Sequence, residues 1–143
     1  TLNSTGTMRM PDSFLDTNTL IYLASDDDLK ANRAESLLSG GAMISVQVLN
    51  EIANVTRRKL KWSWQDTNEF LAMVREFVNV QPMTLETHET GLELCQRYGF
   101  SIYDGLIVAS ALLARCSTLW SEDMQDGLMI ADSLRIRNPF TDA

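Results

Sequence analysis

The strongest constraint on the fold is an alternation of short apolar runs with longer stretches of helical period. Ser13–Asp16, Ala42–Ser45 and Thr118–Trp120 are strand candidates of three or four residues, and a weaker run at Val80–Met83 is interrupted by Pro82. Met129–Ile130 and Leu134–Ile136 are further short candidates near the C-terminus. Between them lie amphipathic segments over Thr17–Ser25, Leu29–Ser39 and Val46–Leu60. Others start at Ser63, at Thr84 or Glu86 (ending at Gly99), and at Ser101 (through Ala114). Helices between successive strands predict an α/β sandwich of three layers, α/β/α, around a short, mostly parallel sheet of about five strands. Several stops and starts are written locally. Asp26-Asp27-Asp28 supplies caps and first-turn carboxylates rather than a calcium loop, because the EF-hand glycine and distant glutamate are missing. Gly40-Gly41 ends the helix that follows. Thr1–Pro11 is polar and is set aside as a disordered or vector-derived leader, leaving a single domain over 12–143.

In such sheets ligands bind beyond the carboxyl ends of the strands, which directs attention to four acids. Asp16 ends the first strand, and Asp123 follows the Thr118–Trp120 strand by three residues. Asp104 opens an apolar helix, and Glu51 sits inside one. Each has a plainer reading. Asp104 completes an S-x-x-D capping pattern with Ser101, and Asp16 caps the helix at Thr17. Glu51 fits a polar helix face and Asp123 a loop. Taken together, four carboxylates at one end of a sheet repel one another and raise each other's pKa. A divalent cation relieves that repulsion, and an all-oxygen donor set suits Mg²⁺ or Mn²⁺.

Composition removes competing chemistries. One histidine, His88, and two cysteines, Cys95 and Cys116, rule out Cys₂His₂ and Cys₄ zinc sites and a two-histidine ribonuclease. Their separation favours free thiols and a reducing, cytoplasmic setting. A net charge of −7 argues against general duplex-DNA binding. No apolar run approaches a membrane span, and no secretory signal is visible.

The segments Phe14-Leu15-Asp16-Thr17-Asn18, Leu49-Asn50-Glu51, Tyr103-Asp104-Gly105-Leu106-Ile107-Val108-Ala109 and Leu119-Trp120-Ser121-Glu122-Asp123-Met124-Gln125-Asp126-Gly127 carry a resemblance in their order and spacing. With the closing Arg135-Ile136-Arg137-Asn138-Pro139-Phe140, the chain resembles PIN-domain proteins over about Ser13 to Phe140, most of all the VapC-type toxins of bacterial toxin–antitoxin pairs. The resemblance implies a Mg²⁺- or Mn²⁺-dependent endoribonuclease with Asp16, Glu51, Asp104 and Asp123 as metal ligands and catalytic acids. It implies supporting roles for Asn18 and Ser121, an antitoxin partner whose tail covers the site, and a homodimer. Where similar toxins often carry histidine, this chain has Asp126, a further ligand or a bystander.

Arg57, Arg58, Lys59 and Lys61 are the densest basic cluster, readable as an RNA phosphate grip or as a helix end favoured by the dipole. Trp62 and Trp64 suit base stacking, or core and interface packing. Three other functions fit some of these residues. They are a phosphatase with Asp16 as nucleophile, which lacks the second aspartate two residues on, a structure-directed DNA nuclease, and an inactive binding module.

Overall fold

The computed structural model describes residues 11–141; the leader Thr1–Pro11 lies outside them apart from Pro11. Six strands and six α-helices make up the described residues, with pairs of helices between the first four strands: β1 (Ser13–Leu15), α1 (Thr17–Ile21), α2 (Asp28–Ser39), β2 (Ala42–Ser45), α3 (Val46–Arg58) and α4 (Trp64–Phe77) come first. Then follow β3 (Val78–Gln81), α5 (Leu85–Tyr98), α6 (Ile102–Leu113), β4 (Thr118–Trp120), β5 (Met129–Ile130) and β6 (Leu134–Arg137). They build one sheet in the order β3-β2-β1-β4-β6-β5. Every pairing is parallel except that of β5 with β6. The sheet has six strands, the two-residue edge strand β5 falling on the Met129–Ile130 candidate.

All four residues of β2 are buried. A strand hidden on both sides of its pleat needs helices against both faces, as parallel sheets require. Phe14, Leu15, Ile44, Ile107, Leu119 and Ile136 form the centre of the core with no exposed surface.

The helix starts follow the local chemistry expected of them. Asp27, Ser45, Ser63, Thr84 and Ser101 each cap a helix by accepting a backbone N–H through a side-chain oxygen. β3 is displaced from its expected position. It starts at Val78, directly where α4 ends, and pairs with β2 from Val78 to Gln81. Pro82 falls after the strand instead of inside it, since proline has no N–H to give a ladder.

α5 and α6 cross closely, and glycine makes the crossing possible. A Cβ on Gly105 would lie 2.3 Å from Cys95 Sγ and 3.0 Å from the Gly91 carbonyl oxygen. Gly105→Ala is expected to destabilise the fold by about 2 kcal/mol, the usual scale of overpacking. Urea unfolding checks this, and an unchanged midpoint would show that the crossing has slack. Gly105 follows Asp104 directly, so the same contact sets how α6 presents that acid.

Both cysteines are free, Cys116 buried and Cys95 half-buried. Burial pushes the Cys116 thiol up to about 12. Among the described residues no helix is long and apolar enough to cross a membrane.

Candidate active site

From β1 the chain moves to β2 and β3 on one side, then returns to lay β4 on the other side of β1. The β1–β4 boundary is thus the point where strand order reverses, the place where open α/β sheets bind ligands. Leu15 pairs with Trp120, so the two strands end level, and Asp16 and Ser121 emerge side by side. Asp16 N–H donates to the Trp120 carbonyl at 3.0 Å, which fixes the backbone from which the acid projects.

Asp16 is 6% exposed. Its Oδ1 accepts the Thr17 N–H at 2.7 Å as the cap of α1, and its Oδ2 accepts the Ser121 hydroxyl at 2.7 Å. Ser121 Oγ also accepts the Met124 N–H, so one hydroxyl shapes the loop and holds the acid. Burial pushes the Asp16 carboxyl up to about 6 against the opposing pull of its Ser121 and Thr17 donors. The charges of Asp104 and Glu51 add to the rise. Asp104, half-buried in the first turn of α6, is raised by burial and then by Glu51 and Asp123, while Ser101 lowers it. The charges of Glu51 and Asp104 thus bear on Asp16, and that of Asp123 on Asp104.

Neutral donors hold the other two. Glu51 Oε1 accepts the Thr17 hydroxyl at 2.8 Å and its Oε2 accepts the Gln47 amide at 2.9 Å. Asp123 Oδ2 accepts the Asn18 side-chain amide. Among the described residues the one salt bridge joins Lys30 to Glu122, so none of the four acids is neutralised by a cation of the protein. Nor do three or more His, Cys, Asp or Glu side chains there stand close enough to enclose an ion. The oxygen-only donor set and the uncompensated negative charge fit a hard divalent cation.

The other expected residues divide. Asn18 and Ser121 each hold an acid. Asp126 Oδ1 accepts the Asn138 N–H at 2.8 Å and so ties its loop to the C-terminal segment. The basic cluster splits as well. Arg57 donates to the Trp62 carbonyl and lies over the Trp64 ring, which makes it a pin for the α3–α4 turn. Lys59 lines a groove with Glu51 and Asp104, whereas Arg58 and Lys61 stand exposed. Trp62 packs edge-on against Phe70, and Trp64 is exposed. His88 is exposed on α5.

Sequence reasoning missed Thr17 and Gln47, which orient Glu51, and a clasp on Glu122. Tyr22 OH donates to Glu122 Oε1 at 2.7 Å and Lys30 to Oε2, fastening the loop beside Asp123. The Gln47–Glu51 spacing of four on one helix was the one visible signal among these.

Comparison with solved structures returns the same fold at low identity. A toxin–antitoxin complex from Klebsiella pneumoniae is 21% identical with a TM-score of 0.68, covering 90% of this chain and 98% of that one. The sarcin–ricin-loop-cleaving toxin VapC20 of Mycobacterium tuberculosis is 21% identical with a TM-score of 0.64, covering 78% and 89%. DNA-bound VapBC from Salmonella typhimurium is 20% identical with a TM-score of 0.64, covering 91% and 99%. Comparison with curated protein sequences gives no match. The family model for the PIN domain matches residues 13–125, well over half of the sequence and all four acids, and the chain belongs to the PIN-domain family.

Proposed function

We propose that this protein is a divalent-metal-dependent endoribonuclease of the VapC type, the toxin of a type II toxin–antitoxin pair. The observation that carries the reading is that Asp16 and Asp123 follow β1 and β4 at the strand-order reversal, that the charges of Glu51 and Asp104 bear on Asp16, and that none of the four acids is paired with a cation among the described residues. The similarity in fold to a toxin that cleaves the sarcin–ricin loop, and to toxin–antitoxin complexes, supports the substrate class and the partner.

Asp16, Asp104 and Asp123, with Glu51, would hold Mg²⁺ or Mn²⁺. That ion, when bound, supplies Lewis-acid stabilisation of a phosphoryl oxygen and an activated water. Ser121 and the Thr17 N–H hold Asp16 ionised against its burial. Asn18 aims Asp123. Glu51, fixed by Thr17 and Gln47, would complete the ligand set or orient the attacking water. Lys59 gives the RNA backbone a local cation beside the acids. The chain works in the cytoplasm as a homodimer, and its antitoxin lays a basic tail across the acidic centre.

Incubating the protein with structured RNAs tests the reading. Cleavage is expected with Mg²⁺ or Mn²⁺ and not with EDTA, leaving 5′-phosphate and 3′-hydroxyl ends. Ends carrying 2′,3′-cyclic phosphate would overturn the mechanism. Unchanged RNA alongside cut flap DNA would replace the substrate class.

A further inference from the structure

A groove of about 510 Å³ opens from the acidic centre along α3 toward the start of α6. That volume lies within the range of roughly 300–1,000 Å³ usual for small-ligand sites. Its walls carry Asn50 and Asn54 from α3, Lys59 from the C-cap of α3, and Tyr103 from α6, alongside Glu51 and Asp104. Asn50 and Asn54 are four residues apart on one helix, so their amides share a face. Tyr103 directly precedes Asp104 and is 61% exposed. Among the described residues neither asparagine amide nor the tyrosine hydroxyl makes a hydrogen bond, whereas the nearby Gln47 amide is occupied by Glu51. The groove thus offers an exposed aromatic face, two unoccupied amides and one cation, in contact with two of the four acids.

We propose that this groove is a nucleobase subsite, binding one unpaired base of the RNA next to the scissile phosphate and setting the cleavage sequence; the proposal rests on the ribonuclease reading above. The chemistry of each wall residue matches a part of that ligand. An unstacked base has a π-face for an exposed aromatic ring, and a Watson–Crick edge of mixed donors and acceptors. A primary amide offers both a donor and an acceptor, so one asparagine can meet such a mixed edge at two points. Lys59 faces the adjoining phosphate. A double-stranded base would present neither face nor edge, so the subsite selects loops and single strands.

Two measurements on the full chain test this. The first uses Asp16→Asn protein and a single-stranded RNA carrying 2-aminopurine at successive positions. At one position fluorescence is quenched on binding. Tyr103→Phe in that background keeps the quench, and Tyr103→Ala loses it with about tenfold weaker binding, the scale of one base–aromatic stack. The second maps cut sites across hairpins with randomised loops. Wild type shows a base preference beside the cut, and Asn54→Ala relaxes it while the overall rate changes less. Cut-site profiles identical in wild type, Tyr103→Ala and Asn54→Ala, with RNA still cleaved, overturn the subsite and leave the ribonuclease reading intact. No cleavage of any RNA by wild type, with no quench at any position, overturns both.

Discussion

Asp16→Asn is expected to abolish RNA cleavage and at the same time to make the metal-free protein more stable. The two effects share one cause. Asp16 is 6% exposed, and burial pushes its carboxyl from 3.8 up to about 6. A group whose folded-state pKa is raised contributes its full stability below the unfolded value and loses it as pH climbs through the folded one. The cost therefore accrues between pH 3.8 and about 6 and is complete at pH 7. At 1.36 kcal/mol per pKa unit it amounts to roughly 3 kcal/mol. Asparagine carries no charge. Its Oδ1 still accepts the Thr17 N–H, while its Nδ2 replaces the acceptor of the buried Ser121 hydroxyl, so the removed penalty is partly offset by one lost hydrogen bond. A net gain of about 1–2 kcal/mol is expected at pH 7 in EDTA, shrinking toward pH 4.5. Activity moves the other way. Removing an anionic ligand forfeits several kcal/mol of charge stabilisation in the transition state, and about 4 kcal/mol is a 10³-fold loss of rate. Thermal unfolding at the two pH values, with a cleavage assay, checks both halves. A variant that cuts RNA at the wild-type rate, or that is less stable at pH 7, would sink the assignment.

This opposition of stability and function was legible in the sequence only as far as local chemistry reaches. β2 and β4 fall where period and length put them, and the caps at Ser45, Ser63, Thr84 and Ser101 lie one residue before their helices. Strand ends are readable because a strand must stop where its ladder stops, so the acids beyond β1 and β4 stood out. β3 was less legible because Val78 and Val80 continue the apolar series of α4 without a breaker between them. The β5–β6 hairpin carries no Asn-Gly or Asp-Gly signal. It turns through Ala131 and Asp132, both at positive φ, the geometry of a primed turn made without glycine. The Thr17–Glu51 bond spans 34 positions and the Asn18–Asp123 contact 105. Such contacts arise from the packing of α1 against α3 and of β1 against β4, which no local pattern encodes.

Thr17→Val tests whether that long-range bond matters to the chemistry. The substitution keeps the shape of the side chain and the backbone N–H that serves Asp16, and removes only the hydroxyl donating to Glu51 Oε1. Thr17 is 4% exposed, so water does not readily take the vacated place. Glu51 keeps Gln47 as its remaining donor, on Oε2. Losing one neutral hydrogen bond costs about 1 kcal/mol of stability. The catalytic loss is larger, because a carboxylate free to rotate no longer presents its lone pairs to one point. Outer-sphere partners of this kind are worth roughly 10–100-fold in metal affinity or activity. Cleavage by Thr17→Val is expected to fall in that range, with a matching rise in the Mn²⁺ concentration that half-saturates protection against thermal unfolding. Thr17→Ser restores the hydroxyl and both quantities. A Thr17→Val enzyme with wild-type rate and wild-type Mn²⁺ dependence would show that Glu51 is positioned by Gln47 and α3 alone, and would reduce Thr17 to the residue whose backbone N–H is capped by Asp16.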